Sequence, residues 1–186
     1  MKRAIDIAFA LVALLGLAIP ILFVAMAVKL TSRGPVLYWS DRVGCNNRIF
    51  RMPKFRSMRI DTPVVATHLL DSPEQWLTPI GSFLRKTSLD ELPQLWTILT
   101  GDMSIVGPRP ALHNQQDLIE LRTQRGVHVL RPGLTGWAQV NGRDEIPIAE
   151  KVAYDAWYLE HGSTALDLRI MALTFVKVVR KEGVAH

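Results

Sequence analysis

The sequence predicts an α+β fold, predominantly helical with one small β-hairpin, opened by a re-entrant membrane helix kinked at Pro20 and joined by interfacial amphipathic helices. Three observations carry this. An uncharged apolar run opens the chain, a β-rich stretch with turn residues follows, and the remainder alternates helical stretches with glycine- and proline-rich loops. With 186 residues the chain can build one body with a real core. It is expected to divide into a membrane segment, 1–30, and a body lying on the membrane surface, 31–186.

The membrane segment comes first. Residues 7–28, "IAFALVALLGLAIPILFVAMAV", carry no charge. At ~1.5 Å per residue the run makes ~33 Å of helix, enough to cross a ~30 Å hydrocarbon core. A secretory signal peptide fits poorly, because the run is long and no small-residue cleavage site follows closely. A single-pass anchor is one reading. Pro20 favours another, since proline removes a backbone bond and kinks a helix. Lys2 and Arg3 precede the run, and Lys29 and Arg33 follow it. A spanning helix would leave one of these clusters on the wrong side of the positive-inside rule. A helix that enters, bends at Pro20 and returns to the same face satisfies both. Its halves, 7–19 and 20–28, would reach only ~20 and ~14 Å, too short to span. Asp6 then sits at the membrane edge, where pairing with Arg3 or a later base makes its charge cheapest.

Residues 36–60 predict the hairpin: β-branched and aromatic flanks around "GCNN", which supplies turn chemistry. Residues 62–82 read as loop with one short helix at 73–77. Helix signals resume over 82–99. "GDMSIVGPRP" (101–110), with two glycines and two prolines, reads as an ordered loop or turn. Residues 111–125 are polar and mostly helical, and 131–143, "RPGLTGWAQVNGR", are loop and short strand. Helices are expected over 147–161 and 164–182. The last of them is apolar with Arg169, Lys177, Arg180 and Lys181 on its polar positions. It suits the membrane interface or an ordinary core-packing face equally well.

Lys and Arg total 22 against 17 Asp and Glu, a formal charge of +5 and a pI near 9.7. That balance favours an anionic partner: nucleic acid, an anionic membrane surface or a phosphorylated substrate. Nucleic acid is set aside, because the chain carries no recognition-helix signature, no zinc spacing and no aromatic–basic strand motif. Cys45 is the sole cysteine, so no intramolecular disulfide can form, which fits a reducing compartment.

Residues 87–95, "TSLDELPQL", hold adjacent carboxylates, Asp90 and Glu91. Ser88 lies three residues before Glu91, the spacing of a capping box. A helix begun at Ser88 would place Pro93 at its fifth position, where the missing N–H costs a bond, so a start one or two residues later is equally consistent. A helix N-terminus also stabilises negative charge and would keep Asp90 ionised, as a nucleophile or metal ligand requires. Neighbouring helical residues point about 100° apart, so the two carboxylates would have different tasks. Around them in sequence stand bases in rigid settings: Lys54 and Arg56 in "PKFRSM", Arg85 and Lys86 in "LRKTSLDE", Arg109 in "GPRP", Arg131 in "RPG" and Arg143 in "NGR". Arg109, between Pro108 and Pro110, loses little entropy on fixing its fork, which suits bidentate phosphate binding. An acid pair with several rigid bases suggests a divalent metal and a phosphoryl group. A membrane-anchored anion-binding scaffold without catalysis would explain the apolar run but not the rigid arginines around an acid pair.

"KFRSM", "SLDELPQLWTILTGDMSIVGPRP" and "RPGLTGWAQVNGR" resemble the bacterial sugar transferases, the small monotopic phosphoglycosyl transferases. The likeness runs from "KR" and Asp6 to "LDLRI", nearly the whole chain. It implies transfer of a sugar-1-phosphate from a UDP-sugar to a polyprenyl (undecaprenyl) phosphate, giving polyprenyl-diphosphate-sugar and UMP. This would be the first membrane step of glycoconjugate assembly, at the cytoplasmic face of the bacterial inner membrane. It further implies Asp90 as nucleophile of a ping-pong reaction through a covalent phosphosugar intermediate, and Glu91 as the other member of the dyad. It implies Mg²⁺ near Asp90, Lys54, Arg85 and Arg109 near the phosphates, and Arg131 and Arg143 as further basic motif positions. The family's re-entrant helix breaks at a Ser-Pro pair; here the pair is Ile19-Pro20. One further expectation concerns Glu91. To act, it must turn toward the Asp90 site and not back to the Ser88 N–H.

Overall fold

The structure, a computed structural model, describes residues 2–63, 70, 72–142 and 146–180. Two helices open it, α1 (Lys2–Gly16) and α2 (Ala18–Thr31), bent by 63°. The bend expected at Pro20 lies at Leu17, three residues earlier. The cause is still Pro20: it has no N–H for the Gly16 carbonyl, and its ring collides with that same carbonyl, so the chain breaks one turn upstream. Pro20 itself fits within the first turn of α2, where an amide has no intrahelical duty. Neither helix alone is long and apolar enough to cross a membrane. Arg3 and Asp6 do not pair with each other. One side of the start of α1 meets the body, where Arg3 donates to the Ile98 and Leu99 carbonyls and Asp6 accepts from Ser104 and Ile105.

The expected hairpin is present. β1 (Leu37–Val43) pairs antiparallel with β2 (Ile49–Phe55), in register from Leu37 opposite Phe55 to Val43 opposite Ile49. Asn46 and Asn47 turn the chain with φ of 54° and 57°, a left-handed region that asparagine tolerates better than most residues. A 3₁₀ turn at Pro73–Trp76 matches the short helix expected there. Then come α3 (Gly81–Lys86), a 3₁₀ turn at Leu89–Glu91, and α4 (Gln94–Thr100), which ends on Gly101 in the left-handed region at φ 100°.

The stretch 101–110 is more than loop. Ser104–Val106 forms β3, which pairs in parallel with β4 (Gly133–Thr135). Strands this short, flanked by glycine and proline, leave no alternating pattern to read. What makes the pairing possible is close backbone approach: a Cβ on Gly133 would lie 2.1 Å from the Gly107 nitrogen. The helices α5 (Gln116–Gln124), α6 (Trp137–Asn141), α7 (Ile148–His161) and α8 (Thr164–Arg180) complete the described chain.

The main core gathers Phe50, Met52, Leu95, Ile98, Met103, Ile105, Tyr158 and Ile170, with Ala10 of α1 inserted among them. A smaller cluster seats Val24 and Val28 of α2 on Phe55 and Leu84. The opposite side of the helix pair is bare: Val12, Leu15, Ile19, Leu22 and Phe23 are each more than 60% exposed. α8 packs on the core through one face and leaves apolar side chains on the other. Ile170 is fully buried and the Thr174 hydroxyl meets that of Thr135 at 2.7 Å, while Leu168 and Phe175 face outward.

Candidate active site

The "SLDE" turn is not a capping box. Ser88 takes φ 56°, and its side chain makes no cap bond to the turn. Leu89–Glu91 wind one 3₁₀ turn, and the α-helix starts only after Pro93, so that the absent proline N–H falls before the first hydrogen-bonded turn. The two carboxylates therefore sit ahead of α4, not within its first turn.

Glu91 turns away from Ser88. Its Oε1 accepts from Lys54 Nζ at 2.7 Å and from Arg109 Nη2 at 3.2 Å. β2 supplies Lys54, the last turn of α3 supplies Arg85, and the loop after β3 supplies Arg109. Arg85 lies with its Nη1 3.6 Å from Met58 Sδ. Lys54, Arg85 and Arg109 all act electrostatically on Asp90, whose side chain is buried.

The two carboxylates differ in character. Burial pushes Asp90 up to about 6; Lys54, Arg85 and Arg109 oppose that push, and the neighbouring Glu91 charge adds to it. Burial also penalises the Glu91 carboxylate, but its ion pairs with Lys54 and Arg109 outweigh this and hold it well below the usual carboxylate range. The helix N-terminus expected to hold Asp90 ionised does not form at these residues, and burial raises the carboxyl instead. Glu91 is the permanently charged member and Asp90 the poised one, ionised at neutral pH with little stabilisation to spare. Two carboxylates driven apart in this way suit different roles.

Arg131 makes its contact elsewhere, donating from Nε to the Gly101 carbonyl at 3.1 Å. Arg143 lies outside the described residues. Arg56, two residues past Lys54, is buried and turned to α2, where it donates to the Ser32 and Arg33 carbonyls.

Sequence reasoning missed a buried pair behind the site. Arg122 of α5 donates through Nε and Nη2 to Asp155 Oδ2 of α7, at 3.0 and 2.6 Å, and through Nη1 to the Arg109 carbonyl at 2.8 Å. The signal was positional: Arg122 follows Leu118 by four residues on the buried face of α5, and Asp155 lies between Val152 and Tyr158 on that of α7. Burial raises Asp155, and the Arg122 charge opposes this. Arg122→Ala leaves Asp155 buried without a counter-charge, which costs about 3–5 kcal/mol. At about 2–4 °C per kcal/mol for a chain of this size, a Tm drop of roughly 6–20 °C is expected in thermal unfolding. Gln94, buried at the start of α4, was also overlooked; its Nε2 has no partner among the described residues.

For a divalent metal the donor set is lean. Among the described residues no group of three or more His, Cys, Asp or Glu side chains could cage one. Asp90 alone remains, since Glu91 is engaged by Lys54 and Arg109. One carboxylate completed by phosphate oxygens and water is a pattern Mg²⁺ accepts and Zn²⁺ or Ca²⁺ sites seldom use. The residues fit magnesium brought in with a phosphorylated substrate.

The site thus sets a buried carboxylate among cations on a body that presents an apolar helix pair. The chain belongs to the bacterial sugar transferases: the family model matches residues 1–181. It is 40% identical to an uncharacterised sugar transferase, EpsL, of Bacillus subtilis, over 99% of this chain and 90% of that protein. It is 45% identical to a UDP-glucose:undecaprenyl-phosphate glucose-1-phosphate transferase of Xanthomonas campestris, over 96% of this chain and 38% of that one. An Escherichia coli protein of the same name is 43% identical over 95% of this chain and 40% of its own length. The chain thus spans less than half of these two longer relatives.

Proposed function

We propose that the protein transfers a sugar-1-phosphate from a UDP-sugar to polyprenyl phosphate at the cytoplasmic face of a bacterial membrane. The observation that carries this reading is the division of labour at residues 90 and 91. Asp90 is buried among cations and raised in pKa, while Glu91 holds Lys54 and Arg109 in place.

The reaction divides into two displacements at one phosphorus. An Asp90 carboxylate oxygen attacks the β-phosphorus of the UDP-sugar. The bond from that phosphorus to the bridging oxygen breaks, and UMP leaves with the bond's electrons. The sugar phosphate is then joined to Asp90 as an acyl phosphate. A phosphate oxygen of the polyprenyl phosphate attacks the same phosphorus, the bond to Asp90 breaks, and polyprenyl-diphosphate-sugar departs with the carboxylate restored. Splitting the transfer lets a soluble donor and a lipid acceptor use one site in turn. Lys54, Arg85 and Arg109 meet the charge that accumulates on the diphosphate and on departing UMP. Asp90 would hold Mg²⁺ together with donor phosphate oxygens, and when bound the ion would neutralise part of the diphosphate charge.

The bare apolar side of α1 and α2 supports a membrane role for residues 1–30, with 31–186 as the body at the surface. The 63° bend suits a helix pair that dips in and returns. The test is UMP release from a panel of UDP-sugars with polyprenyl phosphate and Mg²⁺. UMP formed from at least one donor, dependent on Mg²⁺, is the expected result. No UMP from any donor would overturn the reading in favour of an anion-binding scaffold.

A further inference from the structure

Asp6 is a buried carboxylate that the transfer chemistry does not use. It is 4% exposed, on the first turns of α1, nearly one hundred residues from its partners. Its Oδ2 accepts from the Ser104 hydroxyl at 2.9 Å, and its Oδ1 from the Ile105 amide at 3.1 Å. Both partners belong to β3.

Among the described residues that strand has a partner strand on one edge alone. Its pairing with β4 uses the amide of Ser104, whose N–H reaches the Pro132 carbonyl at 2.9 Å. Alternate amides of a strand point to opposite edges, so Ile105 N–H faces the other way, into the body. A buried amide without an acceptor is costly. The Asp6 carboxylate stands where a third strand would be. No cation is bonded to it among the described residues; Lys2, nearby, is engaged by Asp167 at 2.6 Å. Hydrogen-bond geometry, not an ion pair, is what Asp6 supplies.

β3 leads directly to Arg109. Val106 ends the strand, Gly107 and Pro108 follow, and Gly133 N–H holds the Pro108 carbonyl at 2.9 Å. The same turn of α1 reaches the other arm of the site. Arg3 donates to the Ile98 and Leu99 carbonyls at 2.5 and 3.0 Å, near the end of α4, the helix that follows Asp90 and Glu91. These carbonyls are among those a helix leaves unsatisfied at its C-terminus.

We propose that Asp6 is a positioning residue for the transfer: it fixes β3, and through it the Arg109 loop against Glu91, so that the membrane helix is a structural part of the active site. This rests on the reading that Arg109 serves the donor diphosphate. A displacement of about 1 Å at such a group can cost about 100-fold in rate.

The experiment compares Asp6→Ala, Asp6→Asn and wild type in detergent, where anchoring to a bilayer does not limit turnover. It uses the best donor of the UDP-sugar panel and reads both kcat for UMP release and amide exchange by mass spectrometry. Asparagine can still accept from Ile105 N–H through Oδ1 and donate to the Ser104 hydroxyl through Nδ2. Asp6→Ala is expected to lose about 10- to 100-fold in kcat with a smaller change in KM, and Asp6→Asn to stay within about threefold of wild type. Exchange should quicken over 104–110 in the alanine variant and stay unchanged in α5 and α7. If Asp6→Ala does not fold, Ser104→Ala, which removes one of the two bonds, carries the same test with a smaller loss. The inference is overturned if the alanine variant keeps wild-type kcat, if asparagine is as poor as alanine, or if exchange over 104–110 is unchanged. A wild-type enzyme that releases no UMP would sink the transfer reading instead, and the exchange pattern would still decide whether Asp6 holds the loop.

Discussion

Asp90→Asn is expected to abolish UMP release, with kcat lowered more than about 10,000-fold, because no other described group in the site can take over as nucleophile. The substitution is nearly isosteric, so donor binding through Lys54, Arg85 and Arg109 should persist. Wild-type protein incubated with donor and Mg²⁺ but no lipid acceptor should gain the mass of one sugar phosphate, and the variant should gain nothing. Stability should move the other way. The native Asp90 pKa, about 6, lies above the ordinary aspartate value of 3.8, so the ionised form is disfavoured by folding. The stability of the protonated form is fully present below pH about 4 and is lost as pH rises through about 6. Asparagine is not subject to that loss. The variant should therefore match or exceed wild-type Tm at pH 7.5, and the difference should vanish near pH 4. Full activity in Asp90→Asn, or labelling of the variant, would refute the nucleophile assignment.

Much of this site could be read from residue chemistry because its parts lie in rigid, motif-dense segments. Lys54, Arg85, Arg109 and the acid pair lie together, and Glu91 is not tied back to Ser88 but is held by Lys54 and Arg109. The features that escaped did so for physical reasons. The break at Leu17 is a displaced effect of Pro20: proline acts on the carbonyl four residues upstream, so the bend appears a turn before its cause. β3 and β4 are three residues each, too short for a period of two to show, and they are held by backbone approach at glycines. The Asp90 pKa follows burial, which no local pattern reports, and no α-helix begins at Ser88 to oppose it. Arg122 and Asp155 were hidden for a related reason: each reads as a surface charge until the packing of α5 on α7 buries both.

Glu91→Gln is expected to lower kcat by about 100- to 1,000-fold, the scale of losing one preorganised electrostatic contact. The amide keeps an acceptor oxygen for Lys54 and Arg109 but not the charge that fixes both. The sharper readout is pH. A donor kcat/KM profile reports the free enzyme, and activity should fall as acid protonates Asp90. The Glu91 charge pushes Asp90 upward, so removing it should move the acid limb to lower pH than in wild type. Lys54 is the leading counter-charge to Asp90, so Lys54→Met should move the limb to higher pH. The three limbs, measured at one Mg²⁺ concentration over pH 5–8, are then ordered Glu91→Gln, wild type, Lys54→Met. Lost rate alone could come from a disturbed fold, but a disturbed fold does not move a limb in opposite directions for opposite charges. An upward shift in Glu91→Gln would mean that the titrating group is not Asp90, and the division of labour at residues 90 and 91 would have to be abandoned.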